Sequence, residues 1–285
     1  MNYQYRKGYQ ADSNLMKSYF DFTESVFRFS LADWKNAGKW DEKYVPHSLV
    51  HNDRVVANAS VSIMQLQITG KDVPAIQLGS VGVLPEYRGK GLSRIIMEKV
   101  LEEYRHIPVV FLFANHKVLD FYPKFGFRRV NEIIPQMDVS GVSAPLGQAN
   151  KIDIGSEPLK RLLQARLQHS SIIDARGNIP IYWYHLMYNY SENLYYIEDK
   201  DIVFIAKYQD DCAAIIDILS ANPVSFHEIA GYVLMPETKK VHFHFTPDWL
   251  VKNYEATSNE GEVMFVLGEF PENRVDFKFP VTAHT

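Results

Sequence analysis

Ile76-Gln-Leu-Gly-Ser-Val-Gly-Val-Leu-Pro-Glu-Tyr-Arg-Gly-Lys-Gly-Leu-Ser-Arg94 is the stretch on which the reading of this chain turns. An apolar run reaches Val83 and is stopped by Pro85. A basic, glycine-containing turn follows, Arg88-Gly89-Lys90-Gly91-Leu92-Ser93. Ile95, Ile96, Met97, Val100 and Leu101 then recur at helical spacing. Strand, glycine turn and helix N-terminus together make an anion site. The first helical turn carries N–H groups without intrahelical partners, and the helix dipole adds about half a positive charge there. Glycine lets a phosphate approach the backbone closely, and Arg88, Lys90 and Arg94 add charge.

Two common phosphate loops do not fit. A Walker loop needs Gly-x4-Gly-Lys-[Ser/Thr], but Gly91 follows Lys90 and no glycine stands five residues before Gly89. A dinucleotide fingerprint needs a third glycine where Arg94 stands. The pattern [Gln/Arg]-x-x-Gly-x-[Gly/Ala] does fit, through Arg88 and Gly91, with Ser93 as a small residue in the last place. With the lead-in Val81-x-Val83-x-Pro85-x-x-Arg88, it resembles the pyrophosphate loop of the GNAT superfamily, the acyl-CoA-dependent N-acetyltransferases. A basic surface turn is the structural alternative.

A second motif lies about thirty residues downstream. Val109 to Phe113 reads as a short strand, and Asn115-His-Lys-Val-Leu-Asp-Phe-Tyr-Pro-Lys-Phe-Gly-Phe127 follows. Asn is a good helix cap, Val118, Leu119 and Tyr122 fall on one helical face, and Gly126 suits a left-handed stop. The same family places an Asn after its fifth strand and then a short helix ending Phe-Tyr-x-x-x-Gly-Phe. Asn115, Phe121, Tyr122, Gly126 and Phe127 match it position by position, so the resemblance covers residues 1–137.

Composition bounds the other possibilities. With 285 residues, 46% apolar and 13% aromatic, the chain can bury one large or two ordinary cores. A formal net charge of −4 argues against general nucleic-acid binding. The single cysteine, Cys212, excludes an internal disulfide framework and cysteine-based metal sites, and suits a reducing cytoplasm. No apolar run is long enough to span a membrane, and the N-terminus lacks a signal-peptide core. His242 and His244 alternate on one strand face and read as solvated, so no metal is assigned. Nothing in the sequence specifies an oligomeric state.

Along the chain, residues 10–28 and 31–40 read as helices, 48–51 and 55–63 as strands around Asn52-Asp53-Arg54, and 66–68 as a third strand. The fold class expected is α+β, a mixed central sheet flanked by helices, over residues 1–140. Residues 141–157 have a linker composition. Residues 158–285 read as a degenerate second copy or another α+β domain. Asp199–Ala206 can be laid over Asn52–Ala59, a strand over 213–219 precedes a helix over 226–234, and helices are expected over 158–169 and 181–188. Where the first half has its glycine turn, the second has Ala221-Asn222-Pro223-Val224-Ser225, which lacks both charge and close backbone approach.

The resemblance implies acetyl-CoA as co-substrate. Pantetheine would pair with the backbone of Val81, Gly82 and Val83, pyrophosphate would lie on Arg88, Gly89, Lys90, Gly91, Leu92 and Ser93, and Asn115 would hold the pantetheine arm. Tyr122 would protonate the leaving thiolate. A phenol with a pKa of about 10 can do so at neutral pH. The base stays open among Glu98, Glu132, Asp33, Asp41, Glu42 and water. Gly91-Leu-x-Arg-x-x-Met97 also resembles the enhanced-intracellular-survival type, which uses its own C-terminal carboxylate and carries a third domain for which this chain is too short. Phe27, Phe29, Trp34, Trp40 and Tyr44 either line an acceptor cleft or belong to the core. The expected activity is acetyl transfer to a primary amine of a small molecule. The alternative is a catalytically silent acyl-CoA-binding or interaction module.

Overall fold

In the computed structural model, which describes residues 2–142, 147–166, 170–271 and 276–285, the elements run through two similar rounds. The first is β1 (Gln4–Lys7), α1 (Ser13–Phe27), α2 (Ala32–Asn36), β2 (Tyr44–Val45), β3 (His47–His51), β4 (Arg54–Ile68), β5 (Lys71–Val83), α3 (Leu92–Glu103), β6 (Val109–Ala114), β7 (Arg128–Val130) and β8 (Ile133–Asp138). The second is β9 (Asn150–Lys151), α4 (Glu157–Ala165), β10 (Ile173–Arg176), α5 (Ile179–Tyr188), β11 (Leu194–Ile197), β12 (Ile202–Gln209), β13 (Cys212–Leu219), α6 (Phe226–Val233), β14 (Lys240–Phe243), β15 (Glu255–Ser258) and β16 (Val263–Gly268). The fold is α+β, with two mixed sheets flanked by helices.

Among the described residues the sheets have the same wiring. One runs β1-β3-β4-β5-β6-β16-β7, with β2 and β10 also paired to β4, and the other runs β9-β11-β12-β13-β14-β8-β15. Every neighbouring pair along each path is antiparallel except β5–β6 and β13–β14, which occupy the same place in their sheets. Each also carries a register shift at the equivalent hairpin, near Ser60 in one and Ala206 in the other.

The sixth strand of each path comes from the opposite half. β8 follows β7 in sequence but pairs with β14 and β15, while β16 inserts between β6 and β7. Residues 133–138 therefore sit in the second sheet, ahead of the linker expected at 141–157, of which 143–146 lie outside the described residues. The exchange is tied by Lys278 and Glu132, 3.0 Å apart and both almost wholly buried; the backbone N–H of Phe279 also donates to Glu132, at 2.8 Å.

Local differences from the sequence reading have local causes. Residues 54–68 form one strand rather than two, because Met64 and Gln65 continue the same ladder against β5 and Gln65 also pairs with β10. The helix expected after Asn115 is a series of turns followed by a 3-10 turn over Tyr122–Phe125. Pro123 lacks an N–H and its ring would clash with the carbonyl four residues earlier, which excludes a continuous α-helix. The helix expected over 158–169 runs Glu157–Ala165, and 167–169 lie outside the described residues. His242 and His244 are half-buried rather than solvated, and burial, with the charge of Lys278 behind it, lowers the His244 pKa to about 4. Among the described residues no helix is long and apolar enough to cross a membrane.

Candidate active site

The parallel pairing of β5 with β6 ends at Leu78 and Leu112. Both strands continue, to Val83 and Ala114, without pairing with each other, and their unpaired ends frame a candidate cleft. On its other edge β5 stays joined to β4, where Asn58 faces Gly82 and Ala57 faces Val83, and the N–H of Leu84 donates to Val56 at 3.0 Å. With Gly82 and Leu84 turned toward β4, strand alternation points the backbone groups of Val81 and Val83 into the cleft.

A bulge sets this direction. Ser60 pairs with Gly79 and Asn58 with Gly82, so β5 carries one extra residue, and Ser80 has φ +48°. The bulge rests on a buried polar chain. Asn58 Nδ2 donates to the Ser80 carbonyl at 3.0 Å and to Ser60 Oγ at 3.0 Å, and Tyr19 links Ser60 (2.8 Å) to Tyr44 (3.1 Å), which reaches Ser80 Oγ at 3.3 Å. Close approach explains the neighbouring glycines. A Cβ on Gly82 would stand 2.8 Å from Val26 and 2.9 Å from Phe27 at the end of α1, and one on Gly79 would stand 2.5 Å from the Thr285 methyl.

At the cleft's end the chain turns through Gly89 (φ +74°) and Gly91 (φ +73°) into α3. Gly91 is the N-cap, and no side chain caps this helix. Nothing lies within 4 Å of where a Cβ would stand on either glycine, so the face of the turn is open. Arg88, Gly89, Lys90 and Gly91 are exposed; Leu92 is buried as the first core residue of α3 and Ser93 is half-buried. Arg88 Nε donates to the Val83 carbonyl at 3.4 Å, tying the turn to the strand.

The second sheet supplies an internal control. Its corresponding helix, α6, has a capping box in which Ser225 and Glu228 satisfy each other's backbone donors. That N-terminus is capped by the chain's own carboxylate, whereas α3, like α2, α4 and α5, has no side-chain cap.

Asn115 is exposed just past the end of β6, with its Oδ1 accepting from the Lys117 N–H at 3.0 Å. Tyr122 is 6% exposed, packed against Phe121, Phe127 and Phe265. Burial, and then the charge of Glu262, push its hydroxyl up to about 12, so it is protonated across the physiological range.

The acids named from sequence scatter. Glu98 is exposed on α3 and pairs with Arg94 at 3.4 Å. Glu132 is held by Lys278, Asn259 and the Phe279 N–H. Asp33 and Glu42 are exposed, and Asp41 accepts from the Lys43 N–H. Of the aromatics, Trp34 and Tyr44 are core, whereas Phe27, Phe29 and Trp40 are partly exposed.

Sequence reasoning missed the contribution of residues 262–271 and 276–285. Thr285 donates its N–H to Gln77 Oε1 at 2.5 Å and contacts Ser62 Oγ at 2.9 Å, on the α1 side of the sheet. His284 stacks on Phe113 with ring centroids 3.6 Å apart. From the second half, Tyr184 of α5 packs on Phe29 and Trp34. No local motif marks these residues, since only the strand exchange and the returning tail bring them to the cleft.

Residues 9–130 match the family model described as an acetyltransferase (GNAT) domain. Solved structures share the fold of the whole chain. A probable N-acyltransferase from Enterococcus faecalis V583 has a TM-score of 0.65 at 13% identity, over 93% of this chain and 72% of that one. Eis1 from Mycobacterium abscessus gives 0.62 at 14%, over 93% and 73%. A putative acetyltransferase from Pyrococcus horikoshii gives 0.52 at 12%, over 99% and 96%.

Proposed function

We propose that this chain, an acyltransferase by the GNAT domain over residues 9–130, moves an acetyl group from acetyl-CoA to the primary amine of a small molecule. The observation that carries this reading is the uncapped N-terminus of α3, preceded by two left-handed glycines and opening onto a cleft between the unpaired ends of two parallel strands. The N–H groups of the turn hold the pyrophosphate, with Arg88 and Lys90 beside it. Pantetheine takes the place of the missing strand partner along Val81, Gly82 and Val83. Asn115, at the opposite lip, holds its arm.

Chemistry follows from what the cleft presents. A backbone N–H of the bulged segment stabilises the oxyanion formed as the amine attacks the thioester carbonyl; such donors typically contribute about 10²–10³ in rate. The hydroxyl of Tyr122 has no hydrogen-bond partner among the described residues and stays protonated, which suits it to give its proton to the departing thiolate. Such an unspent donor beside the cleft favours turnover over a silent binding module.

Calorimetric titration with acetyl-CoA, paired with a free-thiol assay across an amine panel, tests the reading. Binding with amine-dependent thiol release supports it. Binding without release for every amine leaves the silent module, and no binding rejects both.

A further inference from the structure

We propose that Glu262, carried into the first sheet by the exchanged strand β16, takes the proton from the acceptor amine. This rests on the acetyl-transfer reading above. Val263 pairs with Ala114, the last residue of β6, so Glu262 stands one residue beyond, beside Asn115 at the mouth of the cleft.

Strand alternation, carried one residue past the start of β16 at Val263, gives the side it faces. Val263 and Phe265 pack in the cluster that holds Ala114 and Tyr122, while Met264 and Val266 pack with Phe111 and Phe279. Glu262 shares the second parity. It therefore lies on the side where Thr285 covers Gly79 and Phe27 covers Gly82, across the sheet from α3 and the glycine turn. Acid and base are then divided as the reaction requires, with Tyr122 at the thiol and Glu262 on the acceptor's approach.

The segment before Glu262 is held in place, because His116 Nε2 reaches the carbonyls of Glu260 (3.2 Å) and Gly261 (3.0 Å). Its carboxylate makes no ion pair or hydrogen bond among the described residues. It is solvent-exposed, yet enough protein surrounds it to raise its affinity for a proton, as befits a cleft wall. The charged groups facing it are Lys278 of the returning tail, which opposes that rise, and Glu132 after β7, which adds to it; its own charge also reaches the Tyr122 hydroxyl at the end of the sheet. Glu132, by contrast, is spent on Lys278 and the Phe279 N–H.

The step balances as follows. The neutral amine's lone pair forms the N–C bond while the carbonyl π pair moves to oxygen. Glu262 accepts one N–H proton, the carbonyl re-forms, and the C–S pair leaves as thiolate and takes the proton of Tyr122. Glu262 then loses its proton to water and Tyr122 regains one.

The test is Glu262→Gln in the full chain, with the most active amine of the panel. Acetyl-CoA affinity should stay within about twofold. Amine kcat/KM should fall by about 10²–10⁴ at neutral pH, the range typical of a positioned acid–base group. The limb that the raised carboxyl adds on the acid side of the pH profile should vanish. Glu262→Ala should recover part of its rate on addition of formate, which a structural role would not allow. A Glu262→Gln enzyme with wild-type kcat/KM and an unchanged profile, in a wild type that does turn over, overturns this proposal alone. A wild type without amine-dependent thiol release sinks it together with the acetyl-transfer reading.

Discussion

Gly91→Ala separates the cost to the fold from the cost to the ligand. Gly91 has φ +73°, where an L-residue costs about 1–2 kcal/mol, and its new methyl would meet nothing within 4 Å. The stability loss should therefore equal the backbone term alone. Gly70, in the β4–β5 hairpin, has φ +78° and the same empty surroundings, so Gly70→Ala is a matched control away from the turn. Both variants should lose about 1–2 kcal/mol in urea denaturation, without the larger penalty of a steric clash. Only Gly91→Ala places a methyl on the anion's approach, and its acetyl-CoA dissociation constant should rise at least about tenfold, or ~1.4 kcal/mol. Gly91→Val, β-branched, should be worse in both respects. Titration calorimetry of wild type and the two alanine variants decides the matter. If Gly91→Ala and Gly70→Ala bind acetyl-CoA equally well, the pyrophosphate does not sit on this turn.

Three other perturbations follow from the structure. Tyr122→Phe should leave acetyl-CoA affinity unchanged and lower the single-turnover rate by at least about tenfold, less for thioesters with better leaving groups; wild-type single-turnover rates would remove Tyr122 from the chemistry. Residues 1–140 alone should fail to form a cooperatively folded monomer, since loss of β16 opens the edges of β6 and β7; a folded, acetyl-CoA-binding fragment would show that the exchanged strand is dispensable. Lys278→Met should cost about 3–5 kcal/mol at neutral pH by stranding Glu132. Burial already raises the Glu132 pKa, so its contribution to stability is greatest in acid and declines as pH rises through the folded value. The variant should therefore approach wild type below the ordinary carboxylate range and diverge above it; a pH-independent difference in denaturation free energy would contradict this.

Much of the first half was legible in sequence because its signals are local. Asp12 caps α1, and its Oδ1 accepts from the Leu15 N–H at 3.0 Å. Gly89 and Gly91 take the left-handed conformation that the anion turn requires, and Asn115 does follow a short strand. The Asp199–Ala206 overlay on Asn52–Ala59 also fits, since β12 and β4 hold the same place in their sheets.

What remained hidden is non-local. β8 and β16 are ordinary short apolar strands, and no residue in either announces which sheet it will join. The exchange is decided by which sheet gap each strand fills and by the buried Glu132–Lys278 pair, whose members stand far apart in sequence. Glu262 escaped notice for the same reason, since it lies among residues read as a degenerate copy. At Tyr122 the family-like motif pointed to a helix, but Pro123 allows only a 3-10 turn, which still buries the ring against Phe265 of the exchanged strand.

The central claim is acetyl transfer, and its most direct measurement is free-thiol release from saturating acetyl-CoA with and without each primary amine of a broad panel. The account predicts that at least one amine accelerates release stoichiometrically with formation of its N-acetyl product, detected by mass. Thiol release that stays at the amine-free rate for every amine, in a protein that binds acetyl-CoA, would contradict it.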